Sequence, residues 1–191
     1  MNIVEELTKD LGGNYYQDDQ KKGYTPGGTF ISKNSYGLIK KENYLMKIYC
    51  FENMGIRAVN TIDGSPFKIT LIIPFSLKKQ QSIFPKSFFQ KIISRTPTSN
   101  NTLSNHAKKV LKKYSLKGNK ELTNYILNDP FLTEILPNHI LYITTKIEND
   151  ISILNLRPNE SVTTAIELNQ LYSIIDRLGE VIFKHRFVLK K

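Results

Sequence analysis

The groups in this chain that could carry acid–base, nucleophilic or metal chemistry are three histidines, one cysteine and a scatter of carboxylates. Their spacing points away from all three chemistries. His106, His139 and His185 lack the i, i+4 spacing of a helical metal pair, and no Asp or Glu pattern flanks them. Each reads as a surface or structural histidine. Cys50 lies in the apolar run Met46-Lys-Ile-Tyr-Cys-Phe51, where a thiol behaves as a small buried hydrophobe; nucleophilic work would need a histidine beside it in space. Asp18, Asp19, Asp63, Asp129 and Asp150 all fall at turn positions, where hydrogen bonding to the backbone accounts for them. The pairs Gly12-Gly13 and Gly27-Gly28 form neither a P-loop nor a dinucleotide fingerprint. No catalytic, cofactor-binding or metal-binding residue is assigned, no cofactor is expected, and the chain reads as non-enzymatic.

Charge is the more informative feature. From Gly64 to Lys120 there are fifty-seven residues without one Asp or Glu, carrying twelve of the twenty-seven lysines and arginines. The remainder holds fifteen basic and seventeen acidic residues, so the net charge of +10 is entirely regional. A regional excess can focus a field on an anionic partner. The candidate anion-binding residues are Lys78, Lys79, Lys86, Lys91, Arg95, Lys108, Lys109, Lys112, Lys113, Lys117 and Lys120. Against this stands plain composition, since a lysine- and asparagine-rich chain can hold such a gap by chance. Lysine outnumbers arginine in the window, which suits a salt-sensitive, sequence-unspecific attraction to phosphate better than bidentate reading of guanine. Nucleic acid and an anionic lipid surface both remain open as partners.

Inside the window, Lys86–Arg95 has helical periodicity: Phe88, Phe89, Ile92 and Ile93 fall on one arc, and Gln90, Lys91, Ser94 and Arg95 on the other. That stripe reads as an ordinary core face, as an amphipathic helix on an anionic membrane, or as rings for stacking on single-stranded nucleic acid. Its exposure distinguishes the three.

Positioning these groups falls to a mixed set of elements. A short helix over residues 3–11 stops at Gly12-Gly13, and residues 14–28 read as an exposed loop. Strand-like runs follow at Thr29–Lys33 with Tyr36–Lys40, Tyr44–Phe51, Ile56–Ile62 and Phe67–Ile73, whose short connections predict an antiparallel meander of four or five strands. Thr96–Asn105 is aperiodic and rich in turn formers, which makes it the candidate boundary between two sub-layers of a single domain over residues 1–191. Beyond it come a short strand at Lys113–Lys117 and an N-cap at Gly118-Asn119. A helix there is interrupted at Asp129-Pro130, and a hairpin turns at Asn149-Asp150. A long helix from about Ser161 to Phe187 ends the pattern, with Leu168, Leu171, Ile175, Leu178 and Ile182 as its stripe. That stripe is wide enough for burial on a sheet; a narrower reading makes it a dimer seam or a protein contact.

From Tyr114 onward, the order strand, helix, hairpin, long helix, with Tyr114-Ser-Leu-Lys-Gly-Asn119 leading into Leu122 and Tyr125, resembles the soluble part of some uncharacterised bacterial domains often found beside membrane spans. The likeness covers roughly the last eighty residues and implies no activity. Those domains commonly carry an acidic residue where Asn119 stands here.

The sequence therefore predicts an α+β fold: an antiparallel meander and a β-hairpin layer covered by helices, the C-terminal one longest. A small β-barrel capped by that helix is the competing architecture. A lone cysteine precludes an internal disulfide and fits a reducing, cytoplasmic setting. With neither a charged leader nor a run of apolar residues long enough to span a bilayer, the chain is expected to be soluble or peripheral to a membrane. The expected role is a binding or scaffold domain; the alternatives are an electrostatic binder acting through residues 64–120 and an enzyme with an unrecognised site.

Overall fold

Apolar side chains recur at every second position in run after run of this chain, and that period selects strands whose two faces differ in burial. In the computed structural model, which describes residues 2–25, 28–55, 65–87 and 103–190, these strands join into one antiparallel sheet. Among the described residues the order begins with α1 (Ile3–Asp10), β1 (Asn14–Gln17), β2 (Lys21–Thr25), β3 (Gly28–Lys40), β4 (Leu45–Gly55), β5 (Phe67–Ile73) and β6 (Gln81–Pro85). It continues with α2 (Asn105–Lys113), β7 (Tyr114–Gly118), α3 (Lys120–Asn128), α4 (Pro130–Ile135) and a 3-10 turn at Leu136–Asn138. The hairpin β8 (Leu141–Glu148) and β9 (Ile151–Pro158), then α5 (Ala165–Lys184) and α6 (Arg186–Leu189), complete it.

The fold is α+β; among the described residues nine strands lie in the order β1-β3-β4-β5-β9-β8-β6-β7, with β2 beside β1 on the same edge of β3. Two expectations change here. The hairpin is not a separate layer, because β9 pairs with β5 and β8 with β6, placing it in mid-sheet. Nor does the sheet close into a barrel among the described residues: its strand path runs from β1 at one end to β7 at the other.

Within residues 14–28, expected to be a loop, Asn14–Gln17 and Lys21–Thr25 are strands instead, Gly28 opens β3, and 26–27 lie outside the described residues. The pairing Gln17↔Ser35 is followed by Lys21↔Ser32, so one extra residue is accommodated around Asp18-Asp19-Gln20 as a bulge. Polar composition misleads at this place because an edge strand is solvated on several sides and tolerates charge. Thr29–Lys33 and Tyr36–Lys40 are likewise one continuous strand, β3. β6 and α2 were not expected from periodicity; α2 is started by Ser104, whose hydroxyl accepts from the Ala107 amide. Ile56–Ile62 and residues 88–95 of the predicted helix lie outside the described residues, as do 96–102, while Lys86 and Ser87 are not helical.

Other signals translate directly. Asn119 caps α3 and Asp129 caps α4, with Pro130 at the first helical position. Asn149 takes a left-handed φ of 49° to turn the β8–β9 hairpin. The pair Thr164 and Glu167 forms a capping box that starts α5, so this helix begins later than Ser161 and spans twenty residues, about 30 Å. Leu168, Leu171, Ile175, Leu178 and Ile182 are buried within the chain. They meet Ile48, Ile69, Leu71, Leu154 and Leu156 from the sheet in one hydrophobic core, which Val4 and Leu7 of α1 extend over β3.

Candidate functional site

The acid-free window reaches the β7 edge of the sheet. β6 and β7 pair from Gln81↔Gly118 to Pro85↔Tyr114, so the two halves of the window lie side by side. Its cations leave through separate elements. Lys78 and Lys79 are exposed in the turn before β6, Lys86 follows β6, and Lys108, Lys109 and Lys112 are exposed on α2. Lys113 Nζ donates to the Pro137 carbonyl at 2.8 Å, Lys117 is exposed on β7, and Lys120 opens α3. Lys91 and Arg95 lie outside the described residues. The predicted set is thus divided among turns, two helices and an edge strand.

A different set is brought together. The helices bury the face of the sheet that carries Ile39, Met46, Ile48, Ile69, Leu71, Ile143, Leu154 and Leu156, and strand alternation sends the intervening residues to the opposite face. On that face one transverse row crosses strand after strand. Tyr16 pairs with Tyr36, Tyr36 with Tyr49, and Tyr49 with Lys68. The β5–β9 register then sets Lys68 beside Arg157, Arg157 pairs with Tyr142, and the β6–β8 register brings Phe84 beside Tyr142. Two cations stand in the middle of the row with rings on both sides. From β1 to β6 it spans about 29 Å at ~4.8 Å per strand.

The rings meet in both stacked and tilted pairs. Tyr16 and Tyr36 stack with centroids 5.0 Å apart and planes 19° apart. Tyr36 and Tyr49 are 5.9 Å apart at 38°, and Tyr49 stacks on Phe51 at 5.9 Å and 7°. Lys68 Nζ lies 4.5 Å from the Tyr49 centroid and 5.7 Å from that of Phe51. On the far side Phe84 and Tyr142 tilt against each other at 6.1 Å and 57°. Tyr16 and Phe51 are exposed, and Tyr36, Tyr49, Phe84 and Tyr142 half-buried.

Burial, and the like charge of Arg157, lower the pKa of Lys68 below the ordinary lysine value. Burial raises that of Tyr49, which keeps its hydroxyl neutral.

A second row runs beside the first: Leu38, Lys47, Thr70, Asn155, Thr144, Ser82 and Lys117. Thr70 donates to Asn155 Oδ1 at 2.9 Å, an arrangement that leaves the Asn155 amide hydrogens for another acceptor. Between the rows, Lys68, Phe84, Tyr142, Thr144, Asn155 and Arg157 line a cleft of about 340 Å³. Among the described strand side chains, Glu148 is the carboxylate at a register position on this face, and Lys146 pairs with it. The face therefore offers aromatic planes, cations and amide or hydroxyl groups with little opposing charge.

The histidines stay apart. His139 Nδ1 lies 2.7 Å from Glu160, His185 stacks on Tyr125, and His106 is exposed on α2. Cys50 is buried on the helix side of β4. Asp129 accepts from the Leu132 amide and from Arg177 Nε at 3.0 Å each, a turn and ion-pair role. Among the described residues no three His, Cys, Asp or Glu side chains group as a metal site.

Comparison with known proteins gives no match to a protein-family model, a curated protein or a solved structure. Tyr16, Tyr36, Tyr49, Lys68, Tyr142 and Arg157 were not singled out from the sequence. A signal existed in β4, where Lys47, Tyr49 and Phe51 alternate against Met46, Ile48 and Cys50. It gains meaning only when registers align it with the neighbouring strands.

Proposed function

We propose that this chain is a non-enzymatic binding domain that lays single-stranded nucleic acid across the open face of its sheet. The observation that carries this reading is the row Tyr16–Tyr36–Tyr49–Lys68–Arg157–Tyr142–Phe84. Unpaired bases present flat π-faces that stack on aromatic side chains, and their phosphates seek cations at short intervals. The row supplies both. The polar groups of Asn155, Thr144 and Ser82 lie one residue pair away, where base edges would reach them. A duplex hides its π-faces and would engage only the charges. The regional charge on the segments flanking β6, on β7 and on α2 adds a long-range attraction that gathers the ligand without choosing its sequence.

The test is equilibrium binding of the full chain to a labelled poly-pyrimidine oligonucleotide and to a duplex of equal length, over a range of salt. Tighter binding to the single strand, retained as salt weakens both, supports the reading. Equal affinity for strand and duplex, or binding that vanishes entirely with salt, contradicts it.

A further inference from the structure

At the other extreme of the chain, a second surface rests on different residues. α6 carries Phe187, 84% exposed, and Val188, 43% exposed, although its last residue, Leu189, is fully buried. The segment is pinned from below: the Lys78 amide donates to the Leu189 carbonyl at 2.9 Å, and Leu77 bridges Lys190 in antiparallel fashion. Arg186 holds the ring from the side, its guanidinium 4.6 Å from the centroids of both Phe183 and Phe187, with Nη1 donating to the Phe183 carbonyl at 3.2 Å. These backbone links set the exposed residues Lys78, Lys79 and Lys190 beside α6, which the exposed Lys184 precedes and Arg186 opens. No acidic residue lies between Glu180 and Lys191, and Glu180 is held by Arg177 at 2.6 Å.

We infer that this tip is a peripheral contact for an anionic lipid bilayer, with Phe187 and Val188 entering the headgroup boundary and the cations facing lipid phosphates. Phe187 and Val188 with the five cations make seven residues, against the roughly twenty to thirty per side of a stable protein interface. A lone ring without cross-strand neighbours also offers no ladder for successive bases. An exposed aromatic ring held by an arginine on a short segment flanked by exposed lysines matches the layering of a bilayer interface, where apolar tips sink and long basic side chains reach back to the phosphates. Such contacts are weak singly and reversible, as suits a peripheral attachment. Among the described residues no helix is long and apolar enough to cross a membrane.

The chain has no tryptophan, so Phe187→Trp installs a unique fluorophore at the tip. Its emission should shift to the blue and be quenched by brominated acyl chains when the full-length variant meets vesicles containing phosphatidylserine, and not with phosphatidylcholine alone. In co-sedimentation, Phe187→Ala should lower partition into the anionic vesicles about tenfold. Lys78→Gln with Lys190→Gln should lower it about fivefold per lysine. Tyr49→Ala, on the open sheet face, should leave it unchanged, which separates this surface from the proposed nucleic-acid site. The inference is overturned if neutral and anionic vesicles bind alike, if Phe187→Ala partitions like the parent, or if Tyr49→Ala abolishes partition. A blue shift with protein concentration or with oligonucleotide, but not with vesicles, overturns it equally by assigning the tip to a second copy or to nucleic acid.

Discussion

Lys68 Nζ sits 4.5 Å from the centre of the Tyr49 ring, its directly paired neighbour on β4. The ring face stabilises the ammonium group while burial and Arg157 oppose its charge. A cation held under that tension gains from an incoming phosphate more than a solvated surface lysine does, because the anion offsets a repulsion already present.

This sets a pH dependence. With its folded pKa lowered, Lys68 binds fewer protons in the folded than in the unfolded state as pH rises through the interval between the two values, so its contribution to stability improves with increasing pH there. Ligand binding runs the opposite way, since it needs the charge. Oligonucleotide affinity is expected to decline on the alkaline side before the ordinary lysine value of 10.5 is reached, and Lys68→Met is expected to remove this early decline without lowering thermal stability. An unaltered pH profile in Lys68→Met would exclude Lys68 from the site.

The β3–β4 turn is locked to α5 through Tyr44, whose hydroxyl donates to Asp176 Oδ1 at 2.8 Å while Lys41 Nζ donates to Oδ2 at 3.2 Å. Burial and the Asp176 carboxylate push the Tyr44 phenol well above its usual range. Its ring lies against Gly179, where an added Cβ would stand 2.9 Å from the ring. Replacing a helical glycine with alanine normally stabilises by about 1 kcal/mol. Here Gly179→Ala should destabilise by about 1–3 kcal/mol instead, because the ring is held and cannot retreat. Urea unfolding decides the sign.

Asp129 serves two partners, capping α4 through Oδ1 and receiving Arg177 Nε and Nη2 on Oδ2 at 3.0 and 2.9 Å. Asp129→Asn keeps an oxygen for the cap but loses the charge, whereas Asp129→Ala loses both. Alanine is expected to cost about 1–2 kcal/mol from the cap alone, with asparagine in between. Equal Tm values for the two variants would show that the cap contributes nothing.

α1 is fitted to β3 at a glycine. A Cβ at Gly37 would stand 1.9 Å from Thr8 Oγ1, and Thr8 is fully buried with its hydroxyl bonded to the Val4 carbonyl. Gly37→Ala should therefore lift α1 off the sheet and lower stability by several kcal/mol, seen as earlier proteolysis near residues 11–13 than in the parent.

Local rules made much of the fold legible. Asn119, Asp129 with Pro130, Asn149 and the Thr164–Glu167 box announce element ends through short-range hydrogen bonding that needs no tertiary context. β1 and β2 were not legible because their polar residues satisfy an edge, and an edge is defined only by the strand it joins. β6 was hidden by its brevity. The open face was hidden for a stronger reason: Tyr16, Tyr36 and Tyr49 are far apart in sequence and become one stack only through the registers of β1, β3 and β4. The basic window, conspicuous in one dimension, is divided among elements in three.

The most direct test pits the row against the window. Affinity for one labelled single-stranded oligonucleotide should be compared among the parent, Tyr49→Ala, and the α2 variant Lys108→Gln/Lys109→Gln/Lys112→Gln. Loss of a stacking ring should weaken binding about five- to a hundredfold, while the α2 variant should mainly flatten the salt dependence and change affinity less. Parent-like affinity in Tyr49→Ala, with a large loss in the α2 variant, would contradict the open sheet face as the site.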